Sequence, residues 1–212
     1  MSDTENPIYL DHNATTPVHP AVVEAMLPYL RAHFGNPSSG HVYGQRAKRA
    51  VEGAREQVAS LLSCHPDEVF FTSGGTEANN LAIRGVLEQS SSRRHIVTSM
   101  VEHPATARPC EHLERQGVEV TRLPVDGSGR VAVDEARPFV RGDTALVTIM
   151  HANNETGVIF PIEELALRAK AKGVLFHTDA VQTVGKLPIN MKNSAIDMLS
   201  LSGHKLHAPK GV

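Results

Sequence analysis

The chain has 212 residues, 21 Lys and Arg against 23 Asp and Glu, a formal net charge of −2 and only two cysteines. Such a balance gives no bulk attraction to nucleic acid or to an anionic membrane surface, and no apolar run is long enough to cross a bilayer. Cys64 and Cys110 lack metal-type or paired spacing, and the polar, acidic start is not a secretory signal, so a cytoplasmic setting is expected.

In chain order, Ile8-Tyr9-Leu10 reads as a short strand followed by the polar loop Asp11–Pro17. Pro20 suits the first turn of a helix reaching about His33, with Pro28 expected to kink it. Phe34–Gly40 is a loop by composition, and Tyr43–Leu62 is helical, with Ala47, Ala50, Val51, Ala54, Val58 and Leu61 as its expected buried stripe. Val69–Thr72 reads as a strand, Ser73–Glu77 as a turn into a helix through Val86, and His95–Ser99 as the next strand. A helix from Ala105 to Gln116, a strand Val118–Leu123 and a tight turn Asp126–Gly129 follow, with a short helix expected from Val133. The strands Ala145–Met150 and Val174–Thr178 flank a helix from about Ile162 to Ala171. The stretch from Ile196 reads as a buried strand near the middle of the sheet, running to Ser202-Gly203-His204-Lys205. Alternating strands and helices predict an α/β, three-layer fold: a mostly parallel sheet with helices on both faces. The chemically informative residues all follow strand C-terminal ends, where open α/β sheets bind ligands.

Lys205 stands at the lip of a buried strand. Burial disfavours an ammonium and lowers its pKa, which suits a nucleophilic amine for a Schiff base with an aldehyde cofactor. Ser73-Gly74-Gly75-Thr76 lets backbone approach a ligand closely, and the helix behind it offers free N–H groups to a phosphate. His103 follows a strand end and can stack on an aromatic ring. Asp179 ends an apolar strand, where a carboxylate needs a partner such as a protonated pyridine nitrogen. Gln182 and Asn154 are placed to reach the ring's phenolic oxygen. Each feature alone has a plainer reading: a snorkelling lysine, an ordinary capped turn, a loop histidine, a helix-capping aspartate. Together they describe a site for pyridoxal phosphate, an electron sink for a substrate carbanion.

The same residues carry a family resemblance. Tyr9–Pro17, Gly35–Ser39, Phe71–Glu77, Glu102-His103, Met150–Gly157, His177–Gln182 and Ser202–Lys205 closely resemble the motifs of cysteine desulfurases of the NifS/IscS kind, class-V aminotransferases among the fold-type-I pyridoxal-phosphate enzymes. The resemblance covers nearly the whole chain. It implies that Lys205 binds the cofactor, that Gly75, Thr76, Ser202 and His204 hold the phosphate, that His103 stacks on the ring and takes part in catalysis, that Asp179 pairs with the ring nitrogen, and that Asn154 and Gln182 contact ring substituents. No metal site is implied.

The implied reaction converts L-cysteine to L-alanine, with sulfur passed to an enzyme persulfide and then to acceptor or iron–sulfur scaffold proteins. A homodimer is implied as well. Residues 1–18 are expected to form an N-terminal arm that belongs with the small domain. Residues 19–212 are expected to form the cofactor-binding large domain, stopping soon after Lys205. The family's sulfur-accepting cysteine and substrate-carboxylate arginine are expected beyond Val212, and neither Cys64 nor Cys110 matches the reactive position, so the chain alone is expected to be inactive. A selenocysteine lyase, another class-V lyase or transaminase, or a non-catalytic cofactor- or partner-binding chain remains open on these residues.

Overall fold

In a computed structural model, residues 7–90, 92–131 and 140–212 are described; the helix expected from Val133 lies outside them. The chain builds α1 (Pro20–Arg31), α2 (Val42–Leu62), α3 (Gly75–Gln89), β1 (His95–Ser99), α4 (Pro104–Arg115), β2 (Glu119–Leu123), β3 (Thr144–Thr148), α5 (Ile162–Lys170), β4 (Leu175–Asp179) and β5 (Met198–Ser200). The five strands form one sheet in the order β2-β1-β3-β4-β5, and every pairing is parallel.

β1 and β3 are buried along their whole length, as strands covered on both faces must be. On one face, Val97, Val147, Ile149 and Phe176 pack against Ile162, Leu165, Ala166 and Ala169 of α5. On the other, Ile96 and Leu146 meet Ile83 and Leu87 of α3 and Cys110 and Leu113 of α4. The expected three-layer α/β architecture is thus observed.

Two histidines inside the sheet find partners on the neighbouring strands. The buried His177 ring bridges Thr148 on β3 (2.8 Å) and Ser200 on β5 (2.9 Å). His95 does the same between Thr144 and Thr121, each at 2.8 Å. Both imidazoles therefore cross-link neighbouring strands while meeting the rule that buried polar atoms find partners.

Histidine also begins helices here. His19, His41 and His103 accept from backbone N–H groups at the starts of α1, α2 and α4 through Nδ1. His65 does so at the short 3-10 turn Pro66–Glu68. Proline follows three of the four, in the first-turn position where its missing N–H costs nothing.

Four expectations are corrected. Ile8-Tyr9-Leu10 forms no strand; Ile8 and Leu10 are more than four-fifths exposed and pair with nothing among the described residues. Val69–Thr72 is extended but joins no sheet, its Val69 carbonyl taken instead by the Arg55 guanidinium. On α2 the buried residues are Gly44, Ala47, Ala59 and Leu62, while Val51, Ala54 and Leu61 are exposed; apolar spacing shows a stripe, not which edge of it meets the core. β5 is short and lies at the sheet edge, bonded only to β4. The strand ends at Ser200, and Lys205 closes a separate 3-10 turn, Gly203–Lys205. Pro28 sits inside α1, which continues through it to Arg31.

Burial holds the His177 imidazole neutral, its pKa pushed down to about 4. A folded value below the unfolded one means stability is full above about pH 6.5 and lost as pH falls toward 4. His177 by itself accounts for a loss of about 2 kcal/mol between pH 7.5 and pH 5, and the raised pKa of buried Glu102 acts in the opposite direction over the same range. In urea denaturation His177→Gln should be less stable than the parent at pH 7.5, and that difference should shrink by about 2 kcal/mol at pH 5.

Candidate active site

From β1 the chain departs toward β2 on one side, while β3, β4 and β5 continue on the other. That reversal between β1 and β3 opens a crevice outside their carboxyl ends, the usual ligand position in such sheets. His103 follows β1, and Asn153 and Asn154 follow β3. Asp179 ends β4, and Ser202–Lys205 follow β5. The N-terminus of α3 lies beside the same edge: a Cβ built on Gly75 would stand 3.0 Å from Val181 Cγ2 and 3.6 Å from Ser202 Cβ.

Gly75 thus sits at a close approach that leaves little room for a Cβ. Gly74 is required by its backbone, with φ 132° and ψ 179°, a region essentially closed to other residues. No side chain caps α3, so its first-turn N–H groups and positive dipole end are free for an anion. Glu77 folds back to accept from Ser73 N–H at 2.6 Å, a bond that holds its carboxyl below the usual range. Thr15, Gly74, Gly75, Thr76, Ser202 and His204 line one open cleft. Lys210 lines it too and was not anticipated; it is a second cation beside the cradle.

Lys205 is half-buried and donates to the Asn13 carbonyl, as does Gln182 Nε2 at 3.0 Å. One backbone oxygen thus gathers the two side chains. Burial, then the nearby Lys186 ammonium, lowers the Lys205 pKa, with Asp11, Asp179 and Glu155 acting the other way. The stretch around Asn13 is stitched onto this turn. Thr16 donates to the His204 carbonyl through both N–H and Oγ1, each at 2.9 Å, and accepts from His207 N–H at 2.9 Å. His204 Nδ1 lies 3.1 Å from Thr15 Oγ1, and burial followed by Lys205 and Lys210 lowers its pKa.

Asp179 is 7% exposed. Its Oδ1 accepts from Val181 N–H at 3.1 Å and its Oδ2 from Asn79 Nδ2 at 2.7 Å. Asn79 was not singled out from the sequence, yet a signal existed. It shares the buried face of α3 with Ile83 and Leu87, four and eight residues on, where an amide must have a partner.

His103 accepts from Ala105 N–H through Nδ1 at 3.1 Å. In a neutral ring that places the proton on Nε2. The ring borders a second, shallower hollow with Thr76 and Asn80. Its neighbour Glu102 accepts from Ser99 Oγ at 2.6 Å and from Met150 N–H at 3.0 Å. Burial dominates and pushes the Glu102 pKa up to about 8. Asn153 Nδ2 reaches the Val101 carbonyl at 3.1 Å. These contacts latch the loop after β1 to the loop after β3. Asn154 donates to Glu155 at 2.7 Å and stands at the same edge.

With this geometry in view, the chain belongs to the class-V aminotransferase family, which matches residues 8–212. A cysteine desulfurase of Trichormus azollae is 57% identical over 205 residues, covering 97% of this chain and 51% of that protein. The cysteine desulfurase NifS of Azotobacter vinelandii is 50% identical over 206 residues, with 97% and 51% covered. Among solved structures, a NifS-like protein superposes with a TM-score of 0.94 at 42% identity, covering 96% of this chain and 57% of that one. A structure titled SspA in complex with cysteine gives 0.93 at 41% identity, with 96% and 59% covered. The chain spans about half the length of the curated relatives it matches.

Gly74→Ala is expected to cost about 1–3 kcal/mol in urea denaturation, because a Cβ is strained at this φ and ψ. Ser73→Ala, one residue away and exposed, should stay within about 0.5 kcal/mol of the parent chain.

Proposed function

We propose that this chain is the cofactor-binding part of a pyridoxal-phosphate-dependent cysteine desulfurase, which converts L-cysteine to L-alanine and passes the sulfur on as a persulfide for iron–sulfur cluster and thio-cofactor assembly. The observation that carries this reading is the gathering of an amine of lowered pKa, an uncapped helix N-terminus and a buried carboxylate along one sheet edge, in a chain 57% identical to a cysteine desulfurase. In this reading residues 19–212 are the large domain, and residues 1–18 are an arm belonging with a small domain. The enzyme works in the cytoplasm as a homodimer and hands sulfur to acceptor or scaffold proteins.

The residues present fit the cofactor. The cradle at Gly74 and Gly75 has no Cβ to block it, and Thr76, Ser202 and His204 border it. When bound, pyridoxal phosphate supplies an electron sink for a carbanion formed beside its aldehyde carbon. The α3 N–H groups and the Thr76 hydroxyl would hold the phosphate, helped by the helix dipole, with the Ser202 hydroxyl, which here donates to the Val212 carbonyl at 3.3 Å, beside them. Lys205 would hold the aldehyde end, and its lowered pKa raises the share of free amine at neutral pH. Asp179, held on both oxygens, would pair with the ring nitrogen and favour its protonated form. His103, its Nδ1 already engaged by Ala105 N–H, would stack on the ring. Gln182 and Asn154 would orient the ring through its substituents.

Sulfur acceptance needs a thiolate. Burial raises both thiols, that of Cys110 to about 12, so neither suits the role. Given L-cysteine and pyridoxal phosphate, this 212-residue chain is expected to form no persulfide and little alanine; alanine release matching a full-length relative would overturn this. Borohydride reduction of the cofactor-loaded chain followed by peptide mapping is expected to mark Lys205. A mark on Lys186 or Lys210 instead would remove the amine from the role assigned to it.

A further inference from the structure

We propose that Asn79 is a positioning residue for Asp179, and that through it α3 sets the distance between the phosphate cradle and the carboxylate. The proposal deepens the cofactor reading above and, for its consequence at the ring nitrogen, rests on it.

Asn79 is fully buried on α3, one turn beyond Gly75. Its Nδ2–H donates to Asp179 Oδ2 at 2.7 Å, between residues 100 positions apart in the chain. The other carboxylate oxygen is held by Val181 N–H. These two donors differ in kind. Val181 belongs to the turn that Asp179 itself begins, so it moves with the carboxylate. Asn79 belongs to a 15-residue helix packed on the sheet, so it ties the carboxylate to an independent rigid element. The start of that same helix forms the cradle.

The other end of the amide sharpens the point. Asn79 Oδ1 is buried without a hydrogen-bond partner among the described residues. The single polar contact of this buried side chain is therefore Asp179. Reversing the amide would set its oxygen against the carboxylate, so the observed orientation is fixed by Asp179 alone. A group with one partner is there for that partner, since burying an amide otherwise costs free energy. Bonds of this kind to a charged acceptor are the stronger class, and each carboxylate oxygen still keeps lone-pair capacity for a further donor.

The first test needs no cofactor. In Asn79→Leu, which keeps volume but loses the donor, the Val181 amide is expected to exchange its hydrogen about tenfold faster, as loss of one charge-assisted bond predicts. The Phe176 and His177 amides in β4 should be unchanged. If Asn79→Leu does not fold, Asn79→Ser takes its place, since its hydroxyl is too short to reach Asp179. Unchanged exchange at Val181 overturns the proposal. The second test loads the chain with pyridoxal phosphate carrying 15N in the ring. The ring-nitrogen proton seen in the parent chain should be lost or weakened in the variant, while the Lys205 attachment remains. A proton signal equal to the parent's overturns the proposal. If the parent chain does not attach cofactor at Lys205, or Asp179→Ala leaves the ring signal unmoved, the cofactor reading fails instead, and the Val181 exchange still decides the role of Asn79.

Discussion

A parallel sheet covered on both faces leaves one place for polar chemistry, and that constraint organises this molecule. Its faces are filled by the helices α3, α4 and α5, and even the histidines within the strands are neutral and spend both nitrogens on neighbouring hydroxyls. The candidate reactive groups lie at the carboxyl edge, where strands end in turns. The edge gains a positive potential from the free end of α3 and a negative one from Asp179, at two separate points. A ligand with an anionic tail and a basic ring matches that pair of fields.

Each side chain at the edge is held by a neighbour that is not itself reactive. Asn79 holds Asp179, Glu102 and Asn153 hold the loop bearing His103, and the Asn13 carbonyl gathers Lys205 and Gln182. Such supporting contacts decide how precisely a site is preorganised.

Much of this is legible in the sequence. The strand-and-helix alternation fixes the layer order, and glycines, a lone lysine and a lone aspartate at strand ends mark the edge. What is not legible has physical causes. An apolar segment such as Ile8–Leu10 or Val69–Thr72 has strand-like composition whether or not a partner strand lies beside it, because ladder bonds are made by the partner and not by the segment. The stripe of α2 is rotated from the one its spacing suggests, since alanines are nearly neutral about which side is covered. Asn79 hides inside an otherwise apolar helix face, and Lys210 looks like any exposed cation until the cradle is assembled. The role of histidine as a helix cap is also silent, because Ser, Thr, Asp and Asn are the expected residues there.

The seam between Thr16 and His204 joins positions 188 residues apart. Local helices and neighbouring strands can form early, but this closure waits until residue 204 has been made, and non-local closures are the slow ones. During synthesis at about 5–20 residues per second, the Thr16 hydroxyl must wait roughly 10–40 seconds for its acceptor to be made. The pocket around the lysine thus cannot close before residue 204 emerges, and a ribosome-bound chain carries the segment around Thr16 unclaimed until then.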